Sequence, residues 1–172
     1  FLVTASGLPA PAYQWRFNNS PIANATASTL SIANVQTSNG GGYTVVITNS
    51  AGSITSSVAT LTVWVPSAIS GQPQSLTNVI NSPAAFSVTA SGTPSPAYQW
   101  RLNNSPIGGA TSSSFSIPSV QPNDGGNYTV VVSNAVNAIT SSVATLTVWV
   151  PSAISGQPQS LTNVVNSQAT FS

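Results

Sequence analysis

The sequence predicts an all-β protein built from a repeated unit, and three observations support that fold class. Short runs of alternating apolar and polar residues, rich in Val, Ile, Thr and aromatic side chains, are separated by clusters of Asn, Gly, Pro and Ser. This is the pattern of β-strands joined by turns. A shift of 85 residues aligns the chain with itself without a gap, so that Phe1 falls on Phe86 and Tyr43 on Tyr128. The third observation is that no stretch has helical periodicity.

The first three predicted strands of the complete repeat each end at a group of turn residues. SLTNVI, residues 75–80, precedes an Asn-Ser-Pro turn, and AAFSVTAS, residues 84–91, precedes a glycine. PAYQWRLN, residues 96–103, ends at the turn Asn-Asn-Ser-Pro, residues 103–106. These residue types favour turns because they allow positive φ, restrict φ or bond to their own backbone.

The last three predicted strands follow the same rule. They are SSFSIPSV at 113–120, NYTVVVSN at 127–134 and ITSSVATLTVWV at 139–150. A turn segment at 122–126 separates the first two of them. The three strands complete a unit of short antiparallel strands, which is typical of a β-sandwich or barrel.

The period divides the chain into one complete repeat and parts of two others. Residues 66–150 form the complete repeat, residues 1–65 form a first repeat without its opening strands, and residues 151–172 contain the opening strands of a third. Two interpretations of this division into one complete and two partial repeats stay open. Either the chain is part of a longer array, or the strand from Pro151 onward is donated to the incomplete first repeat of a neighbouring molecule.

The composition excludes most chemistry. The 172 residues include two Lys or Arg, one Asp or Glu, and no His or Cys, against roughly a quarter charged residues in an ordinary domain. A single carboxylate, Asp124, supplies neither an acid–base pair nor a usual metal site, and Arg16 and Arg101 form no basic stripe for nucleic acid. We therefore expect no catalysis, no metal or other cofactor, no nucleic-acid partner and no insertion into a membrane.

The segments FSVTASG, YQWRLN and DGGNYTVVVSN together resemble strands B, C and F of an immunoglobulin-like domain of the intermediate, or I-set, type. The resemblance implies tandem Greek-key β-sandwiches, with a buried tryptophan on strand C and a tyrosine corner before strand F. The matching positions are Trp15 and Trp100 for the core, and Asn39, Gly41, Tyr43, Asp124, Gly126 and Tyr128 for the two corners. The cysteine-free repeats, with their SGQPQS entries and SVATLTV endings, also resemble those of long bacterial surface proteins.

The sequence departs from that family at the disulfide between strands B and F. By alignment its positions are held by Val3 and Val45 in the first repeat, and by Val88 and Val130 in the second. A disulfide contributes about 2 to 4 kcal/mol. We expect apolar packing of these valines beside the tryptophan to replace part of that.

Several polar residues are candidate surface sites. Arg16 and Arg101 follow the core tryptophans, so alternation directs them to the outer face of the sheet. The sequence also contains acceptor triplets for N-linked sugars and serines suited to O-linked sugars. The candidate acceptors are Asn18, Asn24, Asn103, Asn127, Ser50, Ser105 and Ser112 to Ser114.

The segment TLTVWVPSAISGQP occurs unchanged at residues 60–73 and 145–158. Pro66 and Pro151 hold the preceding residue extended, which predicts a short, semi-rigid connection. Alternation places Trp64 and Trp149 outside the sandwich core. We therefore expect both indoles to be largely buried at contacts between domains or subunits.

The function expected from these observations is structural: a stalk or filament segment of an extracellular or cell-surface bacterial protein, with itself as the main partner. Low net charge removes the repulsion that keeps soluble domains apart and favours association. The alternative is an adhesin or carbohydrate-binding array attached to a secreted protein. In that case glycans would stack on exposed aromatic side chains, for which the candidates are Tyr13, Tyr98, Trp64 and Trp149.

Overall fold

The structure is a computed structural model that describes residues 1–170, and the all-β prediction is confirmed. The first repeat contains β1 (Ala12–Phe17), β2 (Ser20–Pro21), β3 (Gly41–Asn49), β4 (Gly52–Thr55) and β5 (Ala59–Leu61). They form one antiparallel sheet in the order β2-β1-β3-β4, and β5 also pairs with β3. This register sets Trp15 opposite Val45, so the predicted core tryptophan and one predicted core valine lie on neighbouring strands.

The second repeat contains ten strands in three sheets. They are β6 (Val65–Gly71), β7 (Leu76–Val79), β8 (Ala84–Ser87), β9 (Thr89–Thr93), β10 (Ala97–Leu102), β11 (Ser105–Pro106), β12 (Ser114–Ile117), β13 (Gly126–Ser133), β14 (Ala138–Thr140) and β15 (Ala144–Trp149). The largest sheet has the order β11-β10-β13-β15-β7, and β14 also pairs with β13. Two smaller sheets pair β12 with β8, and β6 with β9.

Alternation along the strands builds the core of the second repeat. In β8 the side chains of Ala84 and Phe86 are buried and their neighbours are exposed, and in β15 Ala144 and Leu146 follow the same pattern. Strand β13 is buried over a longer continuous stretch because it lies in the middle of its sheet. Full burial of a side chain the size of Phe86 or Leu146 contributes roughly 1.5 to 3 kcal/mol.

Two predicted strands are interrupted in the structure. The stretch 84–91 divides into β8 and β9, which pair with different partners. The stretch 139–150 divides into β14 and β15 around Ser141, whose hydroxyl oxygen accepts a hydrogen bond from the backbone N–H of Val130 at 3.0 Å. That side chain takes the place of a backbone acceptor, so the ladder is broken locally.

Single 3₁₀ turns, at Thr37–Asn39 and Pro122–Asp124, are the helical elements in residues 1–170. Each lies directly before the long central strand of its repeat, β3 or β13. No helix in this part of the chain has the length and apolarity needed to cross a membrane.

Contacts between Cα atoms divide the chain into two compact units whose boundary does not follow the repeat boundary. One unit contains Phe1–Ser70 with Thr89–Tyr98 and Val132–Ile139. Residues 89–98 and 132–139 belong to this unit because they contact β6, which begins at Val65. The remaining described residues form the other unit.

The opening strands predicted after Pro151 are not assigned in residues 151–170, and the third repeat stays a prediction. Residues 151–170 contain no assigned strand and are exposed throughout. In the second repeat, residues 65–79, whose sequence recurs unchanged at residues 150–164, form β6 and β7 by pairing with β9 and β15. Phe171 and Ser172, where a further strand B was predicted to begin, lie outside the described residues.

Candidate functional site

Each repeat is built around a tryptophan that is closed off from solvent. Trp15 lies at the centre of β1, and Trp100 occupies the matching place in β10. The indole Nε1 of Trp15 donates to the carbonyl oxygen of Ala27, and that of Trp100 to Ser112, both at 2.9 Å. The one polar atom of each ring is therefore satisfied, as burial of an indole requires.

Apolar side chains occupy the positions that the family uses for its disulfide. Val45, Val88 and Val130 are buried, whereas Val3 is half-buried. In the second repeat the ring of Phe86 stacks on that of Tyr128, with centroids 4.5 Å apart. Packing of valines and aromatic rings therefore fills this part of the core.

The tyrosines of the two predicted corners make the same hydrogen bond. The hydroxyl of Tyr43 donates to the carbonyl oxygen of Asn39 at 2.8 Å, and that of Tyr128 donates to Asp124 at 2.7 Å. Both rings are buried at the start of the central strand of their sheet. Each corner therefore anchors its 3₁₀ turn to the core.

The side chain at the end of each 3₁₀ turn bonds back to the residue before the turn. An Asp124 carboxylate oxygen accepts from the backbone N–H of Gln121 at 2.7 Å, and Asn39 Oδ1 accepts from Gln36 at the same distance. An amide replaces the carboxylate in the first repeat without loss of this bond, because both side chains end in an acceptor oxygen.

Glycine is needed at both tyrosine corners because the backbone has a positive φ there and a Cβ atom would contact neighbouring side chains. Gly41 and Gly126 have φ of 153° and 154°. A Cβ at Gly126 would lie 2.8 Å from both Leu102 Cδ1 and Asn103 Oδ1, and one at Gly41 would lie 2.6 Å from Phe17 Cε2. A side chain at either position would have to displace the neighbouring side chains.

The candidate sugar acceptors are exposed, and some of the asparagines also hold turns together. Asn18 and Asn103 have positive φ, and their Oδ1 atoms accept from the backbone N–H of Gly42 and Asn127, both at 3.0 Å. The exposed candidates are Asn18, Asn24, Asn103, Asn127, Ser50, Ser105 and Ser112 to Ser114. Glycosylation stays a prediction.

The two arginines are less exposed than the sequence predicts. Arg16 and Arg101 are half-buried, and the Nε atom of each is buried without a hydrogen-bond partner among the described residues. Their Cα atoms lie opposite Pro21 and Pro106, the last residues of the short strands β2 and β11. Both side chains therefore lie outside the buried core without being fully exposed.

The prediction of buried junction tryptophans is wrong within this chain. Trp64 is 54% exposed and Trp149 is 63% exposed. Alternation does direct both indoles away from the core, since Leu146 in β15 is buried on the opposite side from Trp149. Their burial against another subunit stays a prediction, and Pro66 and Pro151 beside them are also exposed.

A pair of asparagines that the sequence pattern does not reveal holds β6 in place. Asn137 Oδ1 accepts from the backbone N–H of Ser67 at 2.6 Å, and its Nδ2 donates to the Ser67 carbonyl at 3.1 Å. Asn134 Nδ2 donates to the carbonyls of Val65 and Pro94. Comparison of the repeats gives one hint, because the first repeat has Gly52 where the second has Asn137. That difference does not show that Asn137 bonds to Ser67.

The described residues present little reactive chemistry. No group of three or more His, Cys, Asp or Glu side chains occurs in residues 1–170. Burial, and to a smaller degree the charge of Asp124, raises the pKa of the Tyr128 hydroxyl above its ordinary value near 10. This phenol therefore stays protonated and donates its hydrogen bond throughout the neutral range.

The sandwich with its tryptophan core and tyrosine corner defines an immunoglobulin-type domain. The family model described as an immunoglobulin domain matches residues 66–134, and the immunoglobulin I-set model matches residues 1–63. Together they cover most of the chain, which therefore belongs to the immunoglobulin-domain family as a tandem of such domains.

Relatives of known name come from bacteria and animals. The chain is 32% identical over 161 residues to endoglucanase C of Cellulomonas fimi, covering 88% of this chain and 15% of that protein. It is 32% identical over 185 residues to human hemicentin-1, covering 96% of this chain and 3% of that protein. The chain thus spans a small part of the length of either relative.

Solved structures show the same fold. The I-band fragment I67-I69 of titin matches with a TM-score of 0.67 and 19% identity, covering 89% of this chain and 60% of that one. The N-terminal four immunoglobulin domains of Dscam1 match with a TM-score of 0.60 and 23% identity, covering 87% and 40%. At these identities the likeness concerns the fold alone.

Proposed function

We propose that the chain is a non-enzymatic structural segment in the stalk or filament of an extracellular bacterial surface protein. The observation that carries the proposal is the gapless repetition of one framework. Both repeats place a tryptophan N–H and a tyrosine O–H against backbone carbonyls of their own repeat. A framework whose polar groups are engaged internally suits a mechanical module that is copied along a chain.

The ionisable groups support a role without catalysis. The hydroxyls of Tyr43 and Tyr128 are committed to the corners, and Asp124 accepts a bond from the adjacent backbone. General acid–base catalysis needs positioned groups that exchange protons near neutral pH. The engagement of these side chains in turns favours a structural role for them.

The composition supports assembly into a filament, and a relative supports a bacterial source. Only 2% of the residues are charged, so neighbouring molecules repel one another weakly and assembly is favoured. The bacterial relative supports a bacterial source.

Two measurements test this proposal. Antibodies against the chain should label the surface of intact producing cells, and electron microscopy of the labelled material should show rods or filaments. Labelling that requires permeabilised cells would overturn the extracellular location. Hydrolysis of any substrate by the purified chain would overturn the structural assignment.

A carbohydrate-binding module is the second candidate, and the match to a protein named endoglucanase C favours it. Trp64 and Trp149 expose more than half of their surface, and an exposed indole offers a large apolar area on which a sugar ring can stack. If this role is correct, the chain sediments with insoluble cellulose, and the double variant Trp64→Ala, Trp149→Ala does not. The variant Ile54→Ala, Ile139→Ala, which also truncates exposed apolar side chains at matched positions, is the control.

A further inference from the structure

The dipeptide Asn39–Gly40 lies at the end of the 3₁₀ turn in the first tyrosine corner. It is the one place in the sequence where glycine follows asparagine. In such a dipeptide the backbone nitrogen of the glycine can attack the side-chain amide carbon of the asparagine, because no side chain hinders the approach and the glycine backbone turns freely. Asn39 therefore has the sequence context in which an asparagine loses its amide most readily.

The fold holds both reacting groups of this dipeptide in other bonds. Asn39 Oδ1 accepts a hydrogen bond from the backbone N–H of Gln36 at 2.7 Å, so the side chain is directed toward the start of the turn and away from Gly40. The backbone N–H of Gly40 donates to the carbonyl oxygen of Thr37 at 3.1 Å. The attacking nitrogen and the amide that it would attack are therefore both engaged elsewhere.

The hydroxyl of Tyr43 fixes the backbone at the same place. It donates to the carbonyl oxygen of Asn39 at 2.8 Å, and the tyrosine is 3% exposed. For the glycine nitrogen to reach the amide carbon, the Asn39 side chain and the following peptide must rotate, which breaks these bonds. The closed corner thus keeps the dipeptide unreactive, and a local opening of the corner exposes it.

The second repeat shows how an aspartate behaves at the same position. Asp124 matches Asn39 in the 85-residue repeat, and one of its carboxylate oxygens accepts from the backbone N–H of Gln121 at 2.7 Å. Tyr128 donates to the Asp124 carbonyl oxygen at 2.7 Å. A corner with aspartate therefore makes the same two bonds as a corner with asparagine.

We propose that Asn39 is a site of spontaneous deamidation that is controlled by its tyrosine corner. When the corner opens, the Gly40 nitrogen gives its proton to solvent hydroxide and attacks Asn39 Cγ. A bond forms between these two atoms and the Cγ–Nδ2 bond breaks. The departing nitrogen takes a proton from water and leaves as ammonia, and a five-membered succinimide remains.

Water then opens the succinimide in one of two ways. Attack on Cγ breaks its bond to the Gly40 nitrogen and leaves aspartate in a normal backbone. Attack on the backbone carbonyl carbon of residue 39 breaks the original peptide bond and leaves isoaspartate, whose main chain runs through Cγ. In isoaspartate the carbonyl that accepts from Tyr43 has become a carboxylate on a branch. Of the two products, aspartate alone re-forms the corner that the second repeat contains.

Deamidation also changes the charge of the chain. The formal net charge is +1 at neutral pH. Either product adds one carboxylate, which is ionised at that pH, and brings the formal net charge to zero. Ion-exchange chromatography therefore separates the reacted chain from the native one. The inference rests on the geometry of the corner and does not require the structural role proposed above.

Deamidation rates in the folded and the unfolded chain test the protection. The chain is kept in mildly alkaline buffer with and without denaturing urea, and chymotryptic peptides that contain Asn39 are followed by mass spectrometry. We expect the folded chain to lose the amide at least tenfold more slowly. Equal rates would overturn the proposal. In urea, Gly40→Ala should slow the reaction because its methyl group hinders the attack, and an unchanged rate would overturn the assignment of the Gly40 nitrogen.

A matched pair of variants tests whether the corner controls the reaction. Tyr43→Phe removes the hydroxyl that bonds to Asn39, and Tyr128→Phe makes the same change in the other repeat. In the folded chain Tyr43→Phe should accelerate deamidation of Asn39 about tenfold, because loss of one such bond favours opening by this order. Tyr128→Phe should leave the rate unchanged. Equal acceleration by both variants would overturn the role of the corner.

Hydrogen exchange at Gly40 measures the same opening without a substitution, so the test stands even where Tyr43→Phe does not fold. Urea below the unfolding transition should raise exchange of the Gly40 amide hydrogen and deamidation of Asn39 by the same factor. A deamidation rate that stays constant while exchange rises would overturn the proposal.

The fate of the two products is tested separately. Asn39→Asp should unfold at the urea midpoint of the native chain, because Asp124 shows that the corner accepts a carboxylate. After deamidation in urea and refolding, brief proteolysis should remove isoaspartate-containing chains first and leave the asparagine and aspartate forms. Equal resistance of the isoaspartate and aspartate forms would overturn the distinction between the products, and so would a strongly destabilised Asn39→Asp variant.

Discussion

The hydroxyl oxygen of Tyr128 lies 2.7 Å from the carbonyl oxygen of Asp124, four residues earlier, and donates its hydrogen to it. The bond closes the 3₁₀ turn that leads into β13, and the buried ring stacks on Phe86 behind it. One side chain therefore joins the turn, the central strand and the aromatic core. The equivalent bond from Tyr43 to Asn39 does the same in the first repeat.

Replacing Tyr128 with Phe should destabilise the second repeat by about 1 to 2 kcal/mol. The ring stays in place, but the Asp124 carbonyl loses its donor, and an unsatisfied partly buried acceptor costs this much. Urea unfolding followed by tryptophan fluorescence measures the change. Tyr98→Phe is the control, because Tyr98 is half-buried and its hydroxyl makes no hydrogen bond in the described residues. Equal shifts for the two variants would contradict the assigned role of the corner.

The stability of the second repeat should fall above about pH 10. Burial raises the pKa of Tyr128 in the folded state, so the unfolded chain loses this proton at lower pH than the folded chain does. The stabilisation is complete below the unfolded value near 10 and is lost as the pH rises through the folded value. Urea midpoints at pH 8, 10 and 11 measure the decline. Tyr128→Phe should reduce it, and an unchanged decline in that variant would argue against Tyr128 as its source.

Gly126→Ala should destabilise the second repeat by about 1 to 3 kcal/mol. The new methyl group would meet Leu102 and Asn103 at 2.8 Å, and alanine tolerates a φ of 154° poorly. Gly108→Ala is the matched control, because nothing lies within 4 Å of a Cβ there. Thermal unfolding of the two variants compares them. A Gly126→Ala variant as stable as Gly108→Ala would show that the side chains of Leu102 and Asn103 move aside at little cost.

Asn137→Ala should loosen β6 without unfolding the repeat. The change removes both hydrogen bonds between the Asn137 amide and the backbone of Ser67. The amide hydrogen of Ser67 should then exchange with solvent at least tenfold faster. Amides of β7 are the internal control, since that strand is held by β15 instead. Unchanged exchange at Ser67 would mean that the pairing of β6 with β9 suffices to protect it.

Much of the framework was predictable because its signals are local or repeated. Trp100 and Tyr128 support the resemblance to an immunoglobulin sandwich, and the 85-residue shift identifies their counterparts, Trp15 and Tyr43. The contact between Asn137 and Ser67 was not predictable, since 70 residues separate the partners and no periodic pattern links them. In the local sequence, an asparagine that is exposed in a turn cannot be distinguished from one that bonds to a distant strand.

The sequence by itself determined the all-β class, the period and the aromatic framework of each repeat, because strand alternation and turn residues act over a few neighbouring positions. Only the tertiary structure decided what becomes of two identical segments. Residues 67–79 form strands against β9 and β15, while residues 152–164 form none, and Trp64 and Trp149 stay exposed. The reason is physical: a strand exists only when a partner satisfies its backbone, and a residue is buried only when another surface covers it.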